Sequence, residues 1–289
     1  AEMRKAGQSY SGQIVLPIEE RANIQATVAT AGQENVAEDK LGILEPLRAS
    51  LVLAQAGASY MTGLVGNVSI PVYSGSNVGW AGEVAAADDG AGTFSEVNLE
   101  PKRLTAYIDV SKQFLIQDSN SAEEMLKRDI VAAISNKLEA TILGTAAGSA
   151  TQPAGMLNGV TADTAAVTYA DFVNMEATLG EKNVRGDIKF IVSPSAKAVL
   201  KSTAKNQNSF IMEGNEVNGY PVLCTSAVAG KGIVYGNFAD LVIGQWGGID
   251  LTVDPYTQAA NGKVRLVINA YFDAKPRRAE AFVKKVLKA

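Results

Sequence analysis

Val68-Ser69-Ile70-Pro71-Val72-Tyr73 places Val, Ile and Val at every second position, the period at which strand side chains return to one face. The following residues, 74–95, are rich in Gly, Ala, Ser and Asp around a lone Trp80. Gly66, Gly75, Gly79, Gly82, Gly90 and Gly92 lie in or just before this stretch. Alternation resumes with Val97, Leu99, Leu104, Ala106, Ile108 and Val110, which reads as one returning strand over 97–110. Strand, long connection and strand together make a protruding hairpin. A connection of this length inside a compact domain is uncommon and usually functional or disordered.

The charge of this region is one-sided. No Lys or Arg lies between Arg48 and Lys102, whereas Glu83, Asp88, Asp89, Glu96 and Glu100 all fall there. Such a segment repels its own copies and favours a basic or hydrogen-bonding surface elsewhere. The adjacent carboxylates Asp88 and Asp89 are more simply explained by solvation than by a bound cation.

Outward from the hairpin, Ser121 and Glu124 have the spacing of a capping box. Leu126, Ile130, Ala133, Ile134, Leu138 and Ile142 then recur at helical spacing. With Gly144 and Gly148 closing it, this long helix spans roughly 23 residues and about 35 Å at 1.5 Å per residue. Beyond it the chain alternates helix and strand. Helices are expected near 169–179 and 195–202, and strands at 188–192, 220–224, 232–235, 241–243, 249–253 and 263–271. Upstream, Leu41, Leu44, Leu47, Leu51 and Leu53 suggest a helical or mixed segment over 34–60 interrupted by Pro46; proline tolerates only a helix start or a break. Residues 1–32 show no sustained period and read as an extended arm, with Ile14, Val15, Leu16 and Ile18 seeking burial.

Composition narrows the function. The chain has 289 residues, 47% of them apolar and 19% charged, as in ordinary globular proteins. No apolar run approaches the ~20 residues that cross a bilayer, and Ala1-Glu2-Met3-Arg4-Lys5 lacks the apolar run of a secretory signal. There is no histidine and one cysteine, which removes the commonest general base, an intramolecular disulfide and the usual zinc ligand sets. Cys224 reads as a small buried strand residue. Ser193-Pro194-Ser195-Ala196-Lys197 superficially offers a Ser/Lys pair, but Ser-Pro-Ser before a helical run is the pattern of an N-cap. No enzyme chemistry, cofactor or metal is expected. The net charge of -4 would not gather nucleic acid by itself.

Four local patterns then stand in order: Thr62-Gly63-Leu64 with Val68-Ser69-Ile70-Pro71; Gln152-Pro153-Ala154-Gly155-Met156-Leu157-Asn158; Asn218-Gly219-Tyr220-Pro221-Val222; and Gly236-Asn237-Phe238 leading to Val253-Asp254. In these motifs and their spacing the chain resembles the major capsid protein family of tailed bacteriophages along nearly its whole length. The resemblance implies an α+β chain of the Hong Kong 97-like capsid fold. It divides the chain into an N-terminal arm (1–32), a peripheral domain (33–60, 104–150 with the long spine helix, and 255–272), an extended loop (61–103), and an axial domain (151–254) with a return to it over 273–289.

The resemblance further implies a major capsid protein that self-assembles through pentamers and hexamers into an icosahedral shell around double-stranded DNA. Such a protein works in the virion after assembly in the bacterial cytoplasm. A portal protein, and a scaffold or maturation protease, are the implied partners, with no membrane. An encapsulin-type nanocompartment shell shares the fold and is the alternative; a tail-tube subunit fits the long helix poorly. In family members the loop lies across a neighbouring subunit, so Trp80, Glu83, Asp88 and Asp89 are candidate inter-subunit contacts. The basic cluster Lys275, Arg277, Arg278, Lys284 and Lys285 is a candidate receiver, with Arg277 and Arg278 the contact pair. Some members weld the shell by an isopeptide bond between a loop lysine and a neighbour's asparagine, aided by a glutamate. Here the loop has no lysine before Lys102 at its end, and Asn261 and Asn269 have no glutamate between Asp254 and Glu280, so no isopeptide crosslink is expected. The family often carries an N-terminal acidic helical scaffolding segment removed by a protease; none is present in this sequence, so the expectation is either a mature product with Ala1 exposed by that cleavage, or a separate scaffold with Ala1 exposed by removal of an initiator methionine. Weak DNA contact would come from Arg4, Lys5 and Arg21.

Overall fold

The computed structural model describes residues 52–81, 83–84, 86, 88–113 and 119–288. The arm, its cations and the segment around Pro46 lie outside the described residues. Helix α1 (Val52–Ala56) leads to the short strand β1 (Ser59–Met61), and the hairpin strands β2 (Val68–Tyr73) and β3 (Phe94–Leu99) follow. Strand β4 (Lys102–Ser111) and helix α2 (Ser119–Ile142) complete the first half. The returning strand is therefore two strands. β3 ends at Leu99 and β4 begins at Lys102, because Pro101 has no N–H to give a ladder.

The second half contains α3 (Tyr169–Glu181), β5 (Ile188–Val192), α4 (Pro194–Ser202), the short strands β6 (Ala204–Asn206), β7 (Ser209–Phe210) and β8 (Glu216–Val217), then β9 (Tyr220–Cys224), β10 (Gly232–Asn237), β11 (Leu241–Asp254), β12 (Lys263–Pro276) and β13 (Phe282–Val286). The segments 241–243 and 249–253 belong to one strand. β11 pairs with β12 from Leu241↔Pro276 to Asp254↔Arg265, with a register shift between Trp246 and Asp250. Gly247, at φ +66°, makes a bulge where glycine in the sequence suggested a break. α2 starts two residues before Ser121, so Ser121 lies in the first turn and is not the cap. Cys224 ends β9 half-buried and not fully enclosed.

Two sheets organise the core. One has the order β1-β11-β12-β4 and the other β13-β10-β5-β9-β8. On α2, Ile130, Ile134, Leu138 and Ile142 are buried with Ile268, Ala270 and Phe272 of β12, in a cluster that also takes Ile191 and Val234. The opposite faces of β5 and β10 supply Phe190, Val192, Ile233 and Tyr235 to a second cluster with Phe172, Met175 and Leu179 of α3 and Leu200 of α4. The second sheet is thus apolar on both faces, which is why these strands read as continuous apolar runs. Helix α4 opens on Ser193, whose hydroxyl accepts from the Ala196 N–H at 3.1 Å. Ser195 donates to the Gly230 carbonyl and Lys197 to Asn215, so the cap reading holds and no Ser/Lys pair forms.

One polar group interrupts the buried face of α2. Glu139 is buried, its carboxyl accepts from Thr225 and from the Val52 backbone, and burial pushes its pKa above the usual carboxylate range. Oε1 is enclosed without a partner, so ionisation is costly. A raised acid pKa favours the protonated folded state, and that stability is lost as pH rises from about 4.5 through the folded value. Glu139→Gln should remove this dependence. In urea titrations it should match the parent near pH 4 and exceed it near pH 8; parallel pH profiles would contradict this account.

Candidate inter-subunit contact site

β2 and β3 pair antiparallel from Val68↔Leu99 to Tyr73↔Phe94. Beyond the paired strands the ladder continues briefly, with Ser74 N–H donating to Thr93 O and Asn77 N–H to Gly90 O. The close approach demands glycine here: a Cβ on Gly92 would sit 2.1 Å from the Gly75 carbonyl oxygen, and one on Gly90 2.3 Å from that of Asn77. Past this point the described residues are exposed. Val78, Trp80 and Val84 are 91%, 105% and 102% exposed. Glu83, Asp88 and Asp89 are exposed too. Asp89 accepts the Ala91 N–H, and none of the three has an ion-pair partner among the described residues.

The other end of the hairpin is fastened. Leu99 is completely buried against Val242 and Trp246, with Met61, Leu64, Val68 and Ile70 packed around them. The Trp246 indole N–H donates to the Gly66 carbonyl at 2.6 Å, and Leu64 N–H to Gln245 O at 3.3 Å. Lys275 donates to the Asn98 carbonyl. At the turn between β3 and β4, the fully buried Asp273 accepts the Glu100 N–H at 3.1 Å and faces Lys102 Nζ at 3.5 Å. Lys102 also donates to the Gln152 carbonyl, linking the root to the segment after α2.

The basic cluster expected near the C-terminus divides. Arg277 and Arg278 follow β12 and are exposed, with no ion-pair partner among the described residues. Lys285 is held by Asp163 at 2.9 Å and Asp171 at 2.8 Å. Burial would raise Asp171, but bonds from Lys285 and Thr168 bring its carboxyl net below the usual range. Lys284 is half-buried and lowered by burial, and Lys275 belongs to the hairpin root. Strand pairing separates what is contiguous in sequence. Asn269 accepts from Arg103 and Thr105, and Asn261 donates to Gln258. The root residues Lys102, Asp273 and Trp246 were not singled out by the sequence reading. The available signal was Asp273, a lone carboxylate inside Ala270-Tyr271-Phe272-Asp273-Ala274.

The Phage capsid family matches residues 39–287. The chain belongs to that family. A curated relative, the major capsid protein of Halomonas phage phiHAP-1, is 30% identical over 251 residues, covering 82% of this chain and 41% of the relative. This family member thus spans about two fifths of that relative's length. Among solved structures, the capsid of a native GTA particle aligns with TM-score 0.66 at 19% identity, covering 82% of this chain and 89% of that one. The structure from Gordonia phage Cozz aligns with TM-score 0.62 at 14% identity, covering 82% and 86%. The mixed helix-and-sheet architecture is that of tailed-phage capsids, the Hong Kong 97-like fold. No helix among the described residues is long and apolar enough to cross a membrane.

The buried pair at the root generates a prediction. Asp273→Ala leaves Lys102 charged with only 9% of its side chain exposed, and breaking a buried pair from one side costs about 3–5 kcal/mol. Chemical denaturation should show a loss of that size, and a loss below about 1 kcal/mol would mean that the root does not depend on the pair.

Proposed function

We propose that this chain is a major capsid subunit whose copies associate through pentamers and hexamers into an icosahedral shell around double-stranded DNA. The observation that carries the reading is the hairpin: fastened at its root, it holds out Trp80, Val84 and three carboxylates that have no ion-pair partner among the described residues. Exposed apolar side chains set among charge are characteristic of association surfaces. The contact set is Trp80, Glu83, Asp88 and Asp89 on one copy against Arg277 and Arg278 on another. Such contacts are heterologous, so closure requires curvature. Family membership and the names of the reported relatives support this reading, and none of those names points to a nanocompartment. The chain's role is structural and not catalytic.

In this proposal residues 1–32 are the arm, 61–103 the extended loop, 33–60, 104–150 and 255–272 the peripheral domain, and 151–254 with 273–289 the axial domain. A portal protein, with a scaffold or maturation protease, completes the assembly in the bacterial cytoplasm. DNA contact is weak and non-specific. The shell is not covalently welded, since residues 61–101 hold no lysine and the Asn269 amide oxygen is already engaged.

Electron microscopy of the purified full chain, with a nucleic-acid assay of the particles, tests the assignment. Closed shells, or free pentamers and hexamers, are expected; a protein that stays monomeric even with a scaffold supplied would refute it. On denaturing gels, mature particles should run as a single monomer band. Ladders that survive boiling and reductant would contradict the absence of a crosslink.

A further inference from the structure

The chain contains three Asn-Gly dipeptides: Asn158-Gly159, Asn218-Gly219 and Asn261-Gly262. In each, a glycine backbone nitrogen follows a side-chain amide, and glycine has no Cβ to hinder approach of that nitrogen to the amide carbon. The three glycines lie at φ +74°, +80° and +63°, so backbone hand does not distinguish them. Their hydrogen bonds do. Asn261 donates its amide to Gln258 Oε1 at 2.7 Å, and the Gly262 N–H donates to the Ala259 carbonyl at 3.1 Å, so both amide and nucleophile are engaged. Asn218 is half-buried in the turn between β8 and β9; its amide donates to Glu176 at 3.5 Å, and its Oδ1 is enclosed. Asn158 and Gly159 are exposed, in a turn closed by the Val160 N–H on the Leu157 carbonyl at 3.2 Å. Among the described residues nothing bonds the Asn158 amide or takes the Gly159 N–H.

We propose that Asn158-Gly159 is a site of spontaneous covalent modification, at which the folded chain converts its own Asn158 amide to a carboxylate ahead of Asn218 and Asn261. This chemistry does not depend on what the chain assembles into. The Gly159 nitrogen bonds to Asn158 Cγ as the Cγ–Nδ2 bond breaks, and its proton goes to the departing group, which leaves as ammonia. Water then adds to either carbonyl of the cyclic imide and opens it, leaving aspartate or isoaspartate. Nothing is oxidised or reduced, water is the only co-reactant, and the product adds one negative charge to the formal net charge of -4. The isoaspartate outcome also threads the side-chain methylene into the main chain. That extra atom enters directly after Leu157, which is fully buried and whose N–H donates to the Gly144 carbonyl at 2.9 Å, just beyond the end of α2. The modified residue therefore adjoins the anchored segment that follows the long helix.

Timed incubation of the full chain at mildly alkaline pH, in water enriched in ¹⁸O and followed by peptide mass spectrometry, tests the proposal. Asn158 should convert about fivefold faster than either other site or more, the factor that one hydrogen bond adds to a barrier, and its product should carry solvent ¹⁸O. In denaturant that lead should vanish, because cooperative unfolding removes the bonds that hold Asn218 and Asn261. Asn158→Gln, whose longer side chain would have to close a larger ring, should stop conversion at this position and leave thermal unfolding unchanged. A shifted unfolding transition would show that the fold uses the amide, and would count against the proposal. An unreactive Asn158, conversion led by Asn218 or Asn261, or a lead of equal size in denaturant, which would place its cause in the flanking residues, would overturn it.

Discussion

The hairpin projects only because its root is held, and the root is held around a carboxylate that water cannot reach. Asp273 is fully buried, takes the Glu100 N–H and faces Lys102. Each group is needed to make burial of the other tolerable, since an isolated charge in this environment is strongly disfavoured. The Leu99–Val242–Trp246 cluster adds apolar burial beside the pair. Together they fix the end of β3 against β11 and β12, so the direction of the hairpin is inherited from the longest strand pair among the described residues.

The contrast between the two ends of the hairpin follows from composition. At the root, alternating apolar residues have a second surface to pack against. At Asn77 and Gly90 close backbone approach requires glycine, and past them Val78, Trp80 and Val84 are almost wholly exposed. Glycine-rich chain loses much conformational entropy when ordered, and the carboxylates gain nothing from one another. A partner that supplies cations and an apolar wall offsets both costs, which links the local chemistry of the loop to an assembling function.

Much of the fold was legible. The strand at 188–192 and the paired strand at 68–73 emerged with the boundaries that periodicity gave them, because each alternates or runs apolar between clear turn residues. α2 was legible from Ile130, Ile134, Leu138 and Ile142, all of which face the core. The misses have local causes. Pro101 split a strand that alternation alone would continue. Gly247 bulged a strand that turn chemistry would end. β13 went unseen because Lys284 and Lys285 interrupt its apolar pattern and it is defined by pairing with β10. The acidic, exposed tip of the candidate site was readable from charge alone. The root was not, because Lys102, Asp273 and Trp246 come together only through the pairing of β4, β12 and β11.

A fastened root and an unpartnered tip make opposite demands on backbone amides, and hydrogen exchange reads both in one experiment. In the free subunit, amides paired within β2, β3 and β4 should exchange slowly and those of Val78, Gly79, Trp80, Glu83, Val84, Asp88 and Asp89 quickly; on association these should become protected while the root stays as it was. Uniformly fast exchange across the whole hairpin, or a tip unchanged by association, would contradict the account.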